Sequence, residues 1–355
     1  MLSTIEQQRY QKQISLADVG HDGQLKLKNA RVLCVGVGGL GSPLAQYLVS
    51  CGIGKLGLVD GDSVEASNLA RQILFHPSDI GYSKSERAQK YLQSLNPECE
   101  IASYPFYLNA DNAMEIFKHY DIIADCSDNF ATRYLINDIA LMLDKSYVYA
   151  AVFKHLGQLA VFNGKEHGCL RCAFDALDTT LAPTCDNSGI LATHVGIVGV
   201  WQAHEIIKHC LSLTHCDETK LLSMNLLNNK IKSYSIDKNV DCICHHTNFD
   251  FKDISRPIFQ KISHDRFIDH QKVNALLAKE NALLIDLRES TECLPTSQPN
   301  AVNIPLSGIE EKMAQLKLYD YLILSCPSTS RSQYAYHLLA EQLSCNIYIG
   351  RALTP

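Results

Sequence analysis

The chain has 355 residues, 46% of them hydrophobic and 20% charged, with a formal net charge of −6. That length suits two domains, and that composition suits a sizeable buried core rather than disorder. The acidic balance, without any basic run, gives no footing for nucleic acid or an anionic membrane as partner.

The opening stretch MLSTIEQQRYQKQI lacks the apolar centre of a secretory signal, and no apolar run reaches bilayer length. The most apolar segment, HVGIVGVWQAHEII (194–207), holds two histidines and a glutamate and is expected as a buried helix. A cytoplasmic protein is expected, in which the 14 cysteines act as ligands, nucleophiles or core residues rather than as disulfides.

In chain order, Ser3 and Glu6 have capping-box spacing for an N-terminal helix that carries Arg9 and Lys12 on one face. Residues 31–60 read as strand, glycine turn, helix, glycine stop and strand, which is a parallel βαβ unit. The alternation continues with helices over 84–95, 111–120 and 130–144 and strands over 99–104, 121–128 and 147–152. It predicts an α/β fold with a doubly wound, mostly parallel, Rossmann-like sheet. After Ala151 a strand at 155–162 and a hairpin turning at Asn228–Asn229 extend that sheet with antiparallel strands. The polar stretch 247–262 reads as a linker between a first domain, 1–246, and a small α/β domain, 263–355, with strands at 283–287 and 321–325.

The turn VGVGGLGSP places Gly36, Gly38 and Gly41 in G-x-G-x-x-G spacing between a strand and a helix, with Gly39 among them. Backbone amides and a helix N-terminus in such a turn face a phosphate, and Asp60, ending the next strand, suits ribose hydroxyls. Those features alone fit NAD and an oxidoreductase as well as ATP. The residues that follow separate the two. Arg71 and Lys84 supply phosphate neutralisation, and Asp128 in DCSDN supplies a magnesium carboxylate, none of which hydride transfer requires.

The glycine loop, SNLARQ (67–72), Lys84 and DCSDN (125–129) together resemble the ThiF/MoeB/HesA family, bacterial relatives of ubiquitin-activating enzymes, over about residues 5–246. The resemblance implies adenylation of the C-terminal glycine of a ubiquitin-like sulfur carrier of ThiS or MoaD type, in thiamin or molybdenum cofactor biosynthesis. It places Gly39 at the phosphates, Asp60 at the ribose, and Ser67, Asn68, Leu69, Ala70, Arg71 and Lys84 around the triphosphate. Asp128 then holds Mg²⁺ and Asn129 lies beside the nucleotide. The family is homodimeric, with an arginine of an Arg-Tyr-x-Arg-Gln motif reaching the partner's nucleotide. Here that stretch is RYQKQ, so Lys12 takes the place and Arg9 remains to compensate.

Cys169-Leu-Arg-Cys172 and CICHH at 242–246 form two metal-ligand clusters, the pattern of a tetrahedral structural Zn²⁺. The family has C-x-x-C at both places. Here the second departs, leaving Cys242 as the third ligand and either Cys244 or His245 as the fourth. Cys185, in a polar loop before the apolar helix, stands either as a passive thiol or as the family cysteine that forms an acyl-persulfide link with the carrier. In the second domain LLIDLRES, AVNIPL and YLILSCPSTSR resemble a rhodanese-type sulfurtransferase. There Cys326 is the persulfide-bearing thiol and Arg331 closes its loop, with Pro327 departing from the usual loop composition. A cysteine desulfurase is the implied persulfide donor. A non-catalytic sulfur-relay scaffold is the rival that the Lys12 departure and the shortened tail of the rhodanese-like segment support.

Overall fold

The computed structural model describes residues 1–164, 167–174, 189–213, 218–239, 242, 264–278, 281–288, 300–309, 312–326, 332, 335–336, 339–340 and 342–350. They fall into two compact units divided near residue 251.

In the first unit, helices α1 (Thr4–Arg9), α2 (Gln11–Ile14) and α3 (Gly20–Asn29) precede strand β1 (Arg31–Val35). The Ser3–Glu6 capping box is present, with Ser3 Oγ accepting from Glu6 N and Glu6 Oε2 accepting from Ser3 N. The expected single helix breaks at Tyr10, whose ring is buried against the core. Then come α4 (Gly41–Ser50), β2 (Lys55–Val59), α5 (Lys84–Leu95), β3 (Glu100–Tyr104), α6 (Ala110–Phe117), β4 (Ile122–Asp125), α7 (Phe130–Met142) and β5 (Ser146–Phe153). These five strands are parallel in the order β3-β2-β1-β4-β5. Helices on both faces bury them, so β1, β2 and β4 read as continuous apolar runs rather than as alternating ones. Their side chains form one core with Leu44 and Leu48 of α4.

The sheet continues antiparallel through β6 (Leu156–Asn163), β7 (Thr219–Asn225) and β8 (Lys230–Ile236), giving eight strands. Asn229, with φ +56°, turns the expected β7–β8 hairpin. Between β6 and β7 lie α8 (Leu170–Ala173) and the long α9 (Ala192–Leu211). The sequence expectation of a buried α9 is corrected here. Val195, Val198, Ala203 and Ile206 face the core, but Ile197 is 50% exposed and His204 lies open, because a single sheet face covers only one side of the helix. The open side is a groove of about 770 Å³ along Gly196, Ile197, Val200, Trp201 and His204. Among the described residues no helix is long and apolar enough to cross a membrane.

The second unit has β9 (Phe267–Ile268), α10 (His270–Leu277), β10 (Ala282–Asp286), β11 (Ala301–Asn303), α11 (Met313–Leu316), β12 (Tyr321–Ser325) and β13 (Asn346–Gly350). Its five strands are all parallel, ordered β11-β10-β12-β13-β9. Alternate residues feed two cores: Leu283, Ile285, Leu322 and Leu324 on one face, Leu284 and Ile323 on the other. The linker expected over 247–262 lies outside the described residues.

Candidate active site

Strand order reverses between β1 and β4, and a crevice opens at the carboxyl ends of strands at such a switch point. The glycine loop leaves β1 there, Asp60 follows β2, and DCSDN follows β4. The loop can turn because Gly36 sits at φ +92°, and a Cβ there would come within 2.7 Å of the Cys126 carbonyl oxygen. Gly38 lies beside the Gln72 amide, and Gly41 packs on the Gly36 carbonyl. Gly39 faces Val195 of α9, so in this structure it is a packing glycine as well as the expected phosphate neighbour. No side chain caps α4, but Ser42 N donates to the Gly38 carbonyl at 2.9 Å and Pro43 has no N–H, so an anion here would be met by the glycine loop that precedes the helix.

Asp60 accepts from Val37 N at 2.7 Å and from Asp62 N at 2.9 Å, which fixes its carboxylate against the glycine loop. Burial pushes its carboxyl up, against the pull of the Lys84 charge and of those two amides. Lys84, the first residue of α5, is only 6% exposed, and its Nζ donates to Asp62 Oδ2 at 2.9 Å. Burial raises Asp62 too, but hydrogen bonds from Lys84 and Tyr107 outweigh it and hold the carboxyl below its ordinary value.

In the segment from Ala66 to Gln72, Asn68 is buried and accepts from Glu65 N through Oδ1, while Ser67 receives the Asn68 amide. Leu69 is half-buried and Ala70 exposed. Arg71 donates to the Ser67 carbonyl at 3.1 Å, and among the described residues no carboxylate pairs with it. Gln72 is 4% exposed and its Oε1 has no partner, a buried polar atom that a bound group would satisfy.

The two aspartates of DCSDN differ sharply. Asp125 is fully buried; its Oδ1 accepts from Ser127 N and Oγ, its Oδ2 has no partner, and burial pushes its carboxyl up to about 6. Asp128 is exposed, with Asn129 Nδ2 at 3.2 Å from its Oδ1. Asn129, not Asp128, caps α7, through Oδ1 and Thr132 N at 2.9 Å. Asp128 therefore keeps an outward carboxylate, the donor type that Mg²⁺ prefers.

Residues that sequence reasoning missed complete the site. Tyr107 donates to Asp62 Oδ1 at 2.5 Å; burial, that bond and the charges of Asp62, Asp60 and Asp128 all push its phenol up. Gln202 of α9 donates to the carbonyls of Asp125 and Val148 at 2.9 and 2.8 Å and accepts from the Cys126 thiol, tying β4 to β5. A polar residue at a buried position of an apolar helix was the available signal. Arg9, by contrast, spends its guanidinium on the Leu95 carbonyl, at the opposite end of α5 from Lys84, and Lys12 is exposed. Within one chain neither joins the glycine loop.

Cys169, Cys172 and Cys242 bring their sulfurs together, with Sγ separations from Cys169 of 3.7 Å to each. Tetrahedral bonds of about 2.3 Å place sulfurs roughly 3.8 Å apart, so the spacing fits zinc. The knuckle is braced on α7. Leu170 N donates to Asn137 Oδ1 at 2.9 Å, and Arg171 grips the buried Asp138 at 2.8 and 2.7 Å. Cys244 and His245, the alternatives for the fourth ligand, lie outside the described residues, as do Cys185 and Arg331. In the second unit, Cys326 follows β12, 2% exposed, and accepts from Ser332 N at 3.3 Å and Ser332 Oγ at 3.1 Å.

The ThiF family model matches residues 10–244. Adenylyltransferase and sulfurtransferase MOCS3 of Drosophila grimshawi is 38% identical over 370 residues, covering 96% of this chain and 81% of its own. Probable molybdopterin-synthase adenylyltransferase of Porphyra purpurea is 33% identical over 348 residues, covering 95% of this chain and 89% of its own. Among solved structures, E. coli MccB with ATP matches with a TM-score of 0.55 at 23% identity, over 63% of this chain and 68% of that one, a likeness of fold. The chain thus belongs to the ThiF family and, with these relatives, is an adenylyltransferase.

Proposed function

We propose that the first unit adenylates the C-terminal glycine of a ubiquitin-like sulfur carrier of the MoaD type, in molybdenum cofactor biosynthesis. The names of the relatives favour that carrier over the thiamin one, which rests on family resemblance alone. The observation that carries the reading is the convergence of Asp60, Asp62, Lys84, Tyr107 and Asp128 at one switch point. Hydride transfer has no use for that charge, which argues against the NAD reading.

In this reading ATP lies over the glycine loop with its ribose on Asp60. A carboxylate oxygen of the carrier attacks the α-phosphorus in line and pyrophosphate leaves. Arg71 and Lys84 neutralise the phosphate oxygens, with Asn68 and Asn129 beside them, and Asp128 holds the metal. Asp128 would hold Mg²⁺, and the ion would supply neutralisation of the negative charge that develops as pyrophosphate departs. The chain aligns and neutralises; no acid or base is needed for the step. Zn²⁺ is the ion we assign to Cys169, Cys172 and Cys242, as a structural clamp.

The second unit, read as rhodanese-like, carries a persulfide on Cys326, supplied by a cysteine desulfurase. The Ser332 donors stabilise that sulfur. The terminal sulfur attacks the acyl carbon and AMP leaves, giving an acyl persulfide; a thiol, which we assign to Cys185, then attacks the inner sulfur, becoming disulfide-bonded as the S–S bond breaks and the carrier leaves as its thiocarboxylate. We place the protein in the cytoplasm and read it as a homodimer. Arg9 and Lys12, remote from their own chain's Lys84, would meet a nucleotide only in a second copy.

The test is ATP–pyrophosphate exchange on the purified chain with a MoaD-type carrier and Mg²⁺. Exchange is expected, abolished by Lys84→Ala or Asp128→Ala and retained by Cys326→Ala. Carrier binding without exchange would establish the scaffold reading instead.

A further inference from the structure

Lys84 is nearly buried, and an ammonium held there without a counter-charge would be strongly disfavoured. Asp62 supplies the charge, and its two oxygens have separate donors: Lys84 Nζ at 2.9 Å on Oδ2 and Tyr107 hydroxyl at 2.5 Å on Oδ1. A carboxylate held by one donor swivels about its own bond; donors on both oxygens fix its plane. Tyr107 reaches this place although its residue is 66% exposed, because its ring lies on Gly61. A Cβ at residue 61 would come within 2.7 Å of the ring and 2.8 Å of the Tyr107 backbone nitrogen, and would push the residue away. The Asp62 amide in turn donates to Asp60 at 2.9 Å, so the same turn is tied to the residue assigned to the ribose.

We propose that Tyr107 and Asp62 are positioning residues for Lys84: the phenol sets the plane of the Asp62 carboxylate, and the carboxylate holds the ammonium at the place where nucleotide phosphates meet it. This rests on the adenylation reading. Asp62 keeps its hold on Lys84 while phosphates bind, so loosening that hold adds an ordering cost to binding and falls on nucleotide affinity more than on turnover. Tyr107 acts only through Asp62.

The experiment measures ATP KM and kcat for carrier-dependent pyrophosphate exchange, with calorimetric binding of ATP·Mg²⁺ alone, on the full chain and its variants. Losing one hydrogen bond to a charged group corresponds to about a tenfold loss of ATP affinity. Tyr107→Phe is expected to raise ATP KM and Kd by about that factor, with kcat within about twofold. In an Asp62→Asn background the same change is expected to add nothing. Gly61→Ala, which crowds both the ring and the backbone nitrogen of Tyr107, is expected to raise ATP KM at least as much as Tyr107→Phe. An unchanged ATP KM in Tyr107→Phe, a loss confined to kcat, or additivity in the double variant would overturn the relay while the active parent chain upholds adenylation. A parent chain that neither binds ATP nor exchanges pyrophosphate would overturn both.

Discussion

At the scale of single residues, DCSDN offers two aspartates that look alike on paper and are opposite in the fold. Asp125 is buried with its carboxyl at about 6, above its unfolded value, so the folded state binds the extra proton between about pH 4 and 6. Stability linked to this group is therefore greatest below pH 4 and falls as pH rises through 6. Asp125→Asn lacks that titration. The difference in Tm, variant minus parent, is expected to grow in the variant's favour from pH 4.5 to 7.5, and a flat difference would refute the sign. Asp128 is exposed and caps nothing, so Asp128→Asn should leave Tm within the equivalent of about 0.5 kcal/mol while abolishing Mg²⁺-dependent exchange. Asn129→Ala, which removes the α7 cap, is expected to cost about 1 kcal/mol in denaturant unfolding. The spacing of Arg71, Lys84 and Asp128 stands out in the sequence because the phosphate chemistry proposed for them asks for those charges. Tyr107 was not, because nothing local to YPFYLN tells that its hydroxyl meets a carboxylate 45 positions earlier.

At the scale of elements, the glycine loop, α4 and the β7–β8 hairpin are local constructions, and their residues announce them. The cysteine knuckle is different. Its C-x-x-C is visible in the sequence, but its bracing comes from α7, where Asn137 and Asp138 hold Leu170 and Arg171. Asp138→Ala would remove the buried carboxylate that Arg171, side chain 13% exposed, grips with two hydrogen bonds, and is expected to cost about 3 kcal/mol, read from chemical unfolding. Elemental analysis is expected to find about one zinc per chain. Chelation should lower Tm, and a chain whose Tm ignores chelators would remove the structural role. Helix α9 exposed the limit of a hydropathy argument. An apolar run states that a helix avoids water, not how many of its sides find a neighbour, and here Ile197 is left 50% exposed.

For the whole molecule, a mixed eight-stranded sheet and a parallel five-stranded sheet, with separate cores, make two units built around their own apolar strands. A chain ending near residue 262 is expected to keep carrier-dependent pyrophosphate exchange and to lose sulfur transfer to the adenylated carrier. Loss of exchange in a folded truncation would refute the division of labour. The amino-acid order by itself determined the alternation of strands and helices, the glycine turn and the cysteine pairs, because these depend on residues within a few positions of one another. Tertiary structure alone decided which acid is buried and which faces water. It decided that Arg9 is spent on the Leu95 carbonyl, and that Tyr107, Asp62 and Lys84 meet. Those outcomes depend on which strand ends lie side by side, and strand order is a property of the folded sheet, not of any segment within it.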